Sequence, residues 1–258
     1  MKQYKFIIIV LLILLILEGI AIVFLLPKRP KKPLVVTLIP KGKIAIVIDD
    51  WGYQPNTLDI VSQIKYPLTM SVLPGLNYST AVSQKLHELG FQVILHLPME
   101  PYEKYRLEKN TLLTSMNSTQ IAKIIEEDLK SVEYCQGVSN HMGSKFTSNK
   151  VVMTAVMNEL KSRRLYFLDS LVSPNTVCAQ LAKKIKINFA KRDIFLDNEE
   201  NHRYIKTQIY KLRNKANLYG QAIGIGHDRH VTLEVLKEVM PELTKQGYRF
   251  VFVSDLVK

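Results

Sequence analysis

The sequence predicts an α/β protein: a distorted or incomplete (β/α) barrel with parallel strands, preceded by one N-terminal transmembrane helix. Three observations predict it. An apolar run of 21 residues, 6–26, opens the chain. Beyond residue 33, short β-rich runs alternate with helix-length segments seven or eight times, the pattern of parallel strands covered by helices. Polar residues suited to chemistry, namely Asp49, Asp50, His96, His141, Asp169, Asp193 and His227, all lie just after strand candidates. The alternation alone is consistent with a barrel or an open doubly wound sheet. The strand-end residues favour the barrel, which gathers those ends on one face.

The apolar run FIIIVLLILLILEGIAIVFLL is interrupted only by Glu18 and Gly19. At about 1.5 Å per residue it is long enough to cross a hydrocarbon core roughly 30 Å thick. Lys2 and Lys5 precede it as in a signal sequence. A cleaved signal has an apolar region of about 7–15 residues ending in small residues, and neither feature is present. An uncleaved signal anchor is therefore expected, with Glu18 as a polar helix contact. Lys28, Arg29, Lys31 and Lys32, spaced by prolines, form an extended basic linker. These residues outnumber the cations before the span, so a positive-inside count alone opposes export of the C-terminal domain. The domains expected are 1–33, anchor and linker, and 34–258, the barrel.

Composition narrows the class. Of 258 residues, 47% are hydrophobic and 22% charged, which excludes a largely disordered or coiled-coil chain. The net charge of +12 divides into +5 over residues 1–33 and +7 over the remainder. That remainder is mildly basic and reads as solvated lysines, so no nucleic-acid partner is expected. Two cysteines, Cys135 and Cys178, exclude a disulfide framework and a four-thiolate zinc site, and leave one disulfide open.

In chain order the strands expected are 43–48, 68–73, 91–95, 137–139, 165–168, 187–190, 221–225 and 249–253. The helices expected are 56–64, 79–89, 118–132, 149–163, 176–184, 201–219 and 232–246. Asn117 with Gln120 reads as a capping box, and Gly90 and Gly247 follow helices where a C-terminal glycine is favoured.

The first strand runs straight into Asp49 and Asp50, then Trp51 and Gly52. One carboxylate there can hold a metal while its neighbour handles a proton. His96 ends the third strand and His141 follows the fourth. Asp50, His96 and His141 together would supply the three ligands of an open catalytic zinc or similar divalent site. His227 can act as general acid, with Asp193 and Asp169 as candidates to orient it. His87, His202 and His230 read as structural or solvent residues, Asp197 as a helix cap, and the sequons at Asn77 and Asn117 as chance.

The ordered motifs IDDWG at 48–52, HLPMEP at 96–101, NHMGS at 140–144, FLDS at 167–170, RDIFLDN at 192–198 and IGH at 225–227 resemble the divergent polysaccharide deacetylases. This YibQ-like branch is related to the NodB-type carbohydrate esterases. The resemblance covers about residues 43–257. It implies a distorted (β/α) barrel on the exported side of the cytoplasmic membrane, in the periplasm or at the cell surface, and metal-dependent deacetylation of an N-acetylated polysaccharide or peptidoglycan-like glycan. It further implies Asp49 as base, Asp50 as metal ligand and His227 as acid. Such relatives carry H-x-x-x-H, whereas here His96 is followed four residues later by Glu100. The missing nitrogen is assigned to His141, with Glu100 as its substitute. The alternative is a catalytically inactive glycan-binding or cell-envelope interaction module on the same fold. Hydrolysis of a phosphoester is disfavoured, because no clustered phosphate clamp is evident.

Overall fold

A computed structural model describes residues 2–25 and 40–258, with side chains in the first stretch at 4–10 and 12–16 only. The chain divides into two compact units, Met1–Ile39 and Pro40–Lys258. In the first, the apolar run forms a helix, α1 (Lys2–Leu25). Among the described residues no helix is long and apolar enough to cross a membrane. The run is thus a helix, and the expected transmembrane span is not found among the described residues. The linker and the expected boundary at residues 33 and 34 lie outside the described residues.

The second unit is a parallel sheet of nine strands with helices between them: β1 (Gly42–Trp51), α2 (Leu58–Val61), β2 (Thr69–Val72), α3 (Ser79–Glu88), β3 (Gln92–Met99), α4 (Ser118–Ser131), β4 (Gly137–Met142), α5 (Lys150–Ser162), β5 (Tyr166–Asp169), α6 (Cys178–Ile185), β6 (Phe189–Lys191), β7 (Ile194–Phe195), α7 (His202–Tyr219), β8 (Gln221–His227), α8 (His230–Lys245) and β9 (Tyr248–Val251). The order is β6-β5-β4-β3-β2-β1-β8-β7. β1 is paired with β8 along one edge, and on the other with β9 at Gly42–Ala45 and then with β2 from Val47. All eight expected strands are present. The two-residue β7 was not foreseen, because a strand that short carries no period-2 signal.

β1 is buried on both faces, which is why it reads as a continuous apolar run. Ile44, Ile46 and Ile48 join the main core with helix residues such as Leu86, Ile125, Leu212 and Leu236. Ala45 and Val47 face a smaller cluster built from strands and the C-terminal segment, including Ile94, Leu168, Ile225 and Val251. That cluster fills the inside of the curled sheet. The curl is incomplete: β6 and β7 end the strand order without pairing to each other. A cavity of about 670 Å³, lined by β6, by Gln221 and Ile223 of β8 and by the C-terminal segment, opens at this gap. Cys135 and Cys178 are both free thiols, so the disulfide left open by the sequence does not form.

Candidate active site

The site begins with an irregularity in β1. Its register against β2 shifts between Ile48 and Trp51, and Asp50 takes a left-handed conformation, φ 67°. Successive residues of a regular strand point to opposite faces, and a bulge breaks that alternation. Asp is among the residues that tolerate the left-handed region. As a result both carboxylates reach one atom: Asp49 Oδ2 lies 3.6 Å and Asp50 Oδ1 3.3 Å from His96 Nε2.

His96 is buried in β3, and its Nδ1 is 2.8 Å from Ser139 Oγ, which in turn is 2.6 Å from Ser71 Oγ. This chain across β2, β3 and β4 turns Nε2 toward Asp50. His141, at the end of β4, is opposite Pro98 in register. Its Nδ1 is 3.1 Å from Asp50 Oδ1 and 3.2 Å from His96 Nε2. Gly143 permits this turn: it sits at φ 90°, and a Cβ there would come within 2.7 Å of Met99 Cβ.

Asp50 Oδ1, His96 Nε2 and His141 Nδ1 thus form a triangle with edges of 3.1 to 3.3 Å. A tetrahedral ion with nitrogen and oxygen ligands at about 2.0 Å needs edges of about 3.3 Å. Asp50 Oδ1 is buried and has no hydrogen-bond partner, as expected of an atom reserved for a cation. The donor set therefore fits a divalent ion, and it is the group of residues that could hold one among those described. Glu100, the alternative ligand, is committed elsewhere: one carboxylate oxygen is 2.6 Å from Lys145 Nζ and the other accepts from Thr114.

Charge follows geometry. Burial works against the charged form of Asp50, but the imidazoles of His141 and His96 beside it outweigh that and hold the carboxyl well below its usual range. Burial likewise opposes a charged His141, yet Asp50 and then Glu108 raise it. For Asp49 burial wins and pushes the carboxyl up, with His96 and His227 pulling the other way. Asp49 Oδ1 is buried and unpartnered.

His227 lies beside Asp49, its register partner across β1 and β8. Its Nδ1 is 2.8 Å from Asp197 Oδ1, and its backbone N–H donates to Asp197 Oδ2 at 2.7 Å. Burial opposes the imidazolium, but the Asp197 bond outweighs it and raises His227 above its ordinary value. The other ring face is stacked on Phe195, and the Arg192 guanidinium covers that phenyl at 3.6 Å. Gly226 leaves the room needed: a Cβ there would meet Thr232 at 3.0 Å and Asp197 at 3.4 Å.

The structure corrects the expected partners of His227: the carboxylate on it is Asp197, not Asp193 or Asp169. Asp193 Oδ2 accepts from the Ile223 backbone N–H, and its residue borders the cavity at the sheet gap. Asp169 accepts from Leu171 N–H and Thr176 Oγ1, closing a turn after β5. Asp197 is not a helix cap, since Asn201 caps α7. Its signal was hidden by the unseen β7: Phe195 pairs with Ile225, so two residues further on Asp197 meets His227. Glu108 and Tyr53 were also missed. Tyr53 Oη donates to Glu108 Oε1 at 2.7 Å, and Glu108 Oε2 is 3.7 Å from His141 Nε2.

Comparison with known proteins agrees with this architecture. Residues 46–257 match the family described as divergent polysaccharide deacetylase. The uncharacterized protein YibQ of Escherichia coli K12 is 39% identical over 202 residues, 78% of this chain and 63% of that protein, so the chain spans less than two thirds of that relative's length. An uncharacterized protein of Agrobacterium tumefaciens C58 has a similar structure, with TM-score 0.79 and 22% identity over 89% of this chain and 92% of that one. A CE4-family pseudoenzyme from Bacillus anthracis shares the fold more distantly, with TM-score 0.52 and 12% identity over 83% of this chain and 65% of that one. The chain belongs to the divergent polysaccharide deacetylase family.

Proposed function

We propose that the protein is a metal-dependent deacetylase of N-acetylated envelope glycans. The observation that carries the reading is the triangle of Asp50, His96 and His141 with Asp49 and His227 beside it. The donor set suits zinc, since two imidazoles and a carboxylate leave one position open. A divalent ion held by Asp50, His96 and His141 would supply Lewis-acid chemistry for an acetamide carbonyl and for water. Asp49 takes the proton of the attacking water on its free Oδ1. His227, with Nδ1 held by Asp197, presents Nε2 and gives a proton to the departing sugar amine.

A groove of about 440 Å³, lined by Tyr53, Leu76, Arg106, Leu107, Glu108 and Lys109, adjoins the centre, because Glu108 borders both. The half-exposed Tyr53 offers an aromatic face suited to a sugar ring. The substrate class, a polysaccharide or peptidoglycan-like glycan, follows from the family. Placement at the exported side of the cytoplasmic membrane, anchored through the N-terminal segment or secreted, is part of the same proposal. It rests on the family and on the apolar run 6–26, and it stands against the positive-inside count of the basic tract that follows the run.

The test is elemental analysis of purified protein followed by acetate release from N-acetylated glycans. About one divalent ion per chain and acetate release that a chelator abolishes would support the reading. Absence of metal after supplementation would favour the inactive glycan-binding module, a reading to which the departure from H-x-x-x-H lends weight.

A further inference from the structure

Two of the buried polar atoms that the proposed reaction leaves without a task face each other. His141 Nε2 and Glu108 Oε2 both lack hydrogen-bond partners, and each is the other's nearby counterpart at 3.7 Å. Buried orphans of this kind are rare and call for a cause. Resting on the metal-site reading above, we infer that Glu108, aimed by Tyr53, is the positioning residue that fixes His141 as a ligand.

Ligation dictates the tautomer of His141. A neutral imidazole carries one ring proton, and a nitrogen that ligates a metal cannot keep it. His141 turns Nδ1 to Asp50 and His96, so its proton belongs on Nε2. That N–H points into a buried space in which Glu108 Oε2 is the acceptor within reach. The separation exceeds a hydrogen bond by about 0.7 Å, a gap that a small rotation of ring or carboxylate closes.

Glu108 is itself held from three sides. Tyr53, from the segment after β1, donates to its other oxygen at 2.7 Å. The Glu108 carbonyl accepts from Thr111 N–H and Oγ1. Two residues on, Asn110 donates to the buried Asp128 of α4 at 2.8 Å. The segment between β3 and α4 is thereby tied to the helix behind it, and its carboxylate is directed at the centre. A carboxylate behind a ligating histidine orients the ring and increases its basicity, and loss of such a group costs roughly 10–100-fold in metal affinity.

The experiment is titration of the metal-stripped full chain with zinc by calorimetry and with cobalt by its visible bands. The variants are Glu108→Gln, Glu108→Ala, Glu108→Asp and Tyr53→Phe, each first checked for wild-type circular dichroism. Zinc affinity is expected to fall roughly 10–100-fold in Glu108→Gln and Glu108→Ala. A smaller loss is expected in Tyr53→Phe and partial recovery in Glu108→Asp, with the cobalt bands altered in the same order. Glu108→Gln binding as tightly as wild type, with unchanged cobalt bands, would overturn the inference alone. A wild type that takes up neither ion would overturn the metal-site reading together with it.

Discussion

Asp197 holds His227 twice, through Oδ1 to the ring Nδ1 at 2.8 Å and through Oδ2 to the backbone N–H at 2.7 Å. The carboxylate is itself fixed by Thr232 Oγ1 at 2.7 Å, so the imidazole is oriented by a rigid partner. That pairing raises His227 above its ordinary value despite its burial. A general acid must be protonated to act, so activity is expected to fall only as pH rises through this raised value. Asp197→Asn removes the charge and leaves burial unopposed. Its alkaline limb should move to lower pH, and kcat should drop about 10²-fold or more where wild type is active. A pH–rate profile with an unmoved alkaline limb would remove Asp197 from this role.

Asp49 differs from its neighbour in what it can lose. It lies outside the group of metal ligand atoms, and its Oδ1 is buried and free. Asp49→Asn should therefore keep the metal content of wild type and reduce acetate release by about 10²–10⁴-fold, the range associated with a general base. Normal turnover in this variant would show that another group takes the proton. Loss of metal instead would move Asp49 into the ligand set.

Much of this arrangement was legible in the sequence, for a physical reason. Parallel strands buried on both faces must be apolar runs, so the polar residues within or closing them stand out: Asp49 and Asp50 near the end of β1, His96 in β3, His141 in β4 and His227 in β8. What stayed hidden depends on pairings that leave no periodicity. Asp197 follows a two-residue strand, and its neighbourhood became readable only through the register of β7 against β8. Asp193 lies nearer to the β6 strand in sequence, yet its side chain turns to the Ile223 backbone. Glu108 lies in the segment between β3 and α4, where no hydrophobic pattern fixes a side chain's direction. The adjacent Asp49 and Asp50 could be read as a pair, but the bulge that brings both to His96 could not.

His96→Ala and His141→Ala each delete one corner of the ligand triangle. Either should lower the metal content of protein purified in the presence of micromolar zinc to well below one ion per chain, and acetate release should fall with it. The two variants should nevertheless bind a neutral chito-oligosaccharide as wild type does, since neither residue lines the groove at Tyr53 and Arg106. Elemental analysis and glycan calorimetry on the same preparations separate these effects. Full metal content in either variant would exclude that histidine as a ligand.

Asp128 carries a stability prediction independent of the reaction. It lies on α4 with its side chain buried, one oxygen bonded to Asn110 and the other without a partner. Burial pushes the carboxyl up to about 7, with Asn110 opposing and Glu127 adding to the rise. Between the ordinary value of 3.8 and about 7 the folded protein keeps a proton that the unfolded chain has released, so stability falls as pH rises through this window. Above it the folded state holds a buried charge. Asp128→Asn keeps a neutral amide that can accept from Asn110 and donate where the second oxygen lacks a partner. The variant should match wild type below about pH 4 and exceed it at pH 8 by on the order of 4 kcal/mol, each pKa unit being worth about 1.4 kcal/mol. Urea unfolding of both proteins at pH 4, 6 and 8 measures the difference. A stability gap that does not widen with pH would mean that Asp128 stays ionised in the folded protein, and that its second oxygen has found a partner.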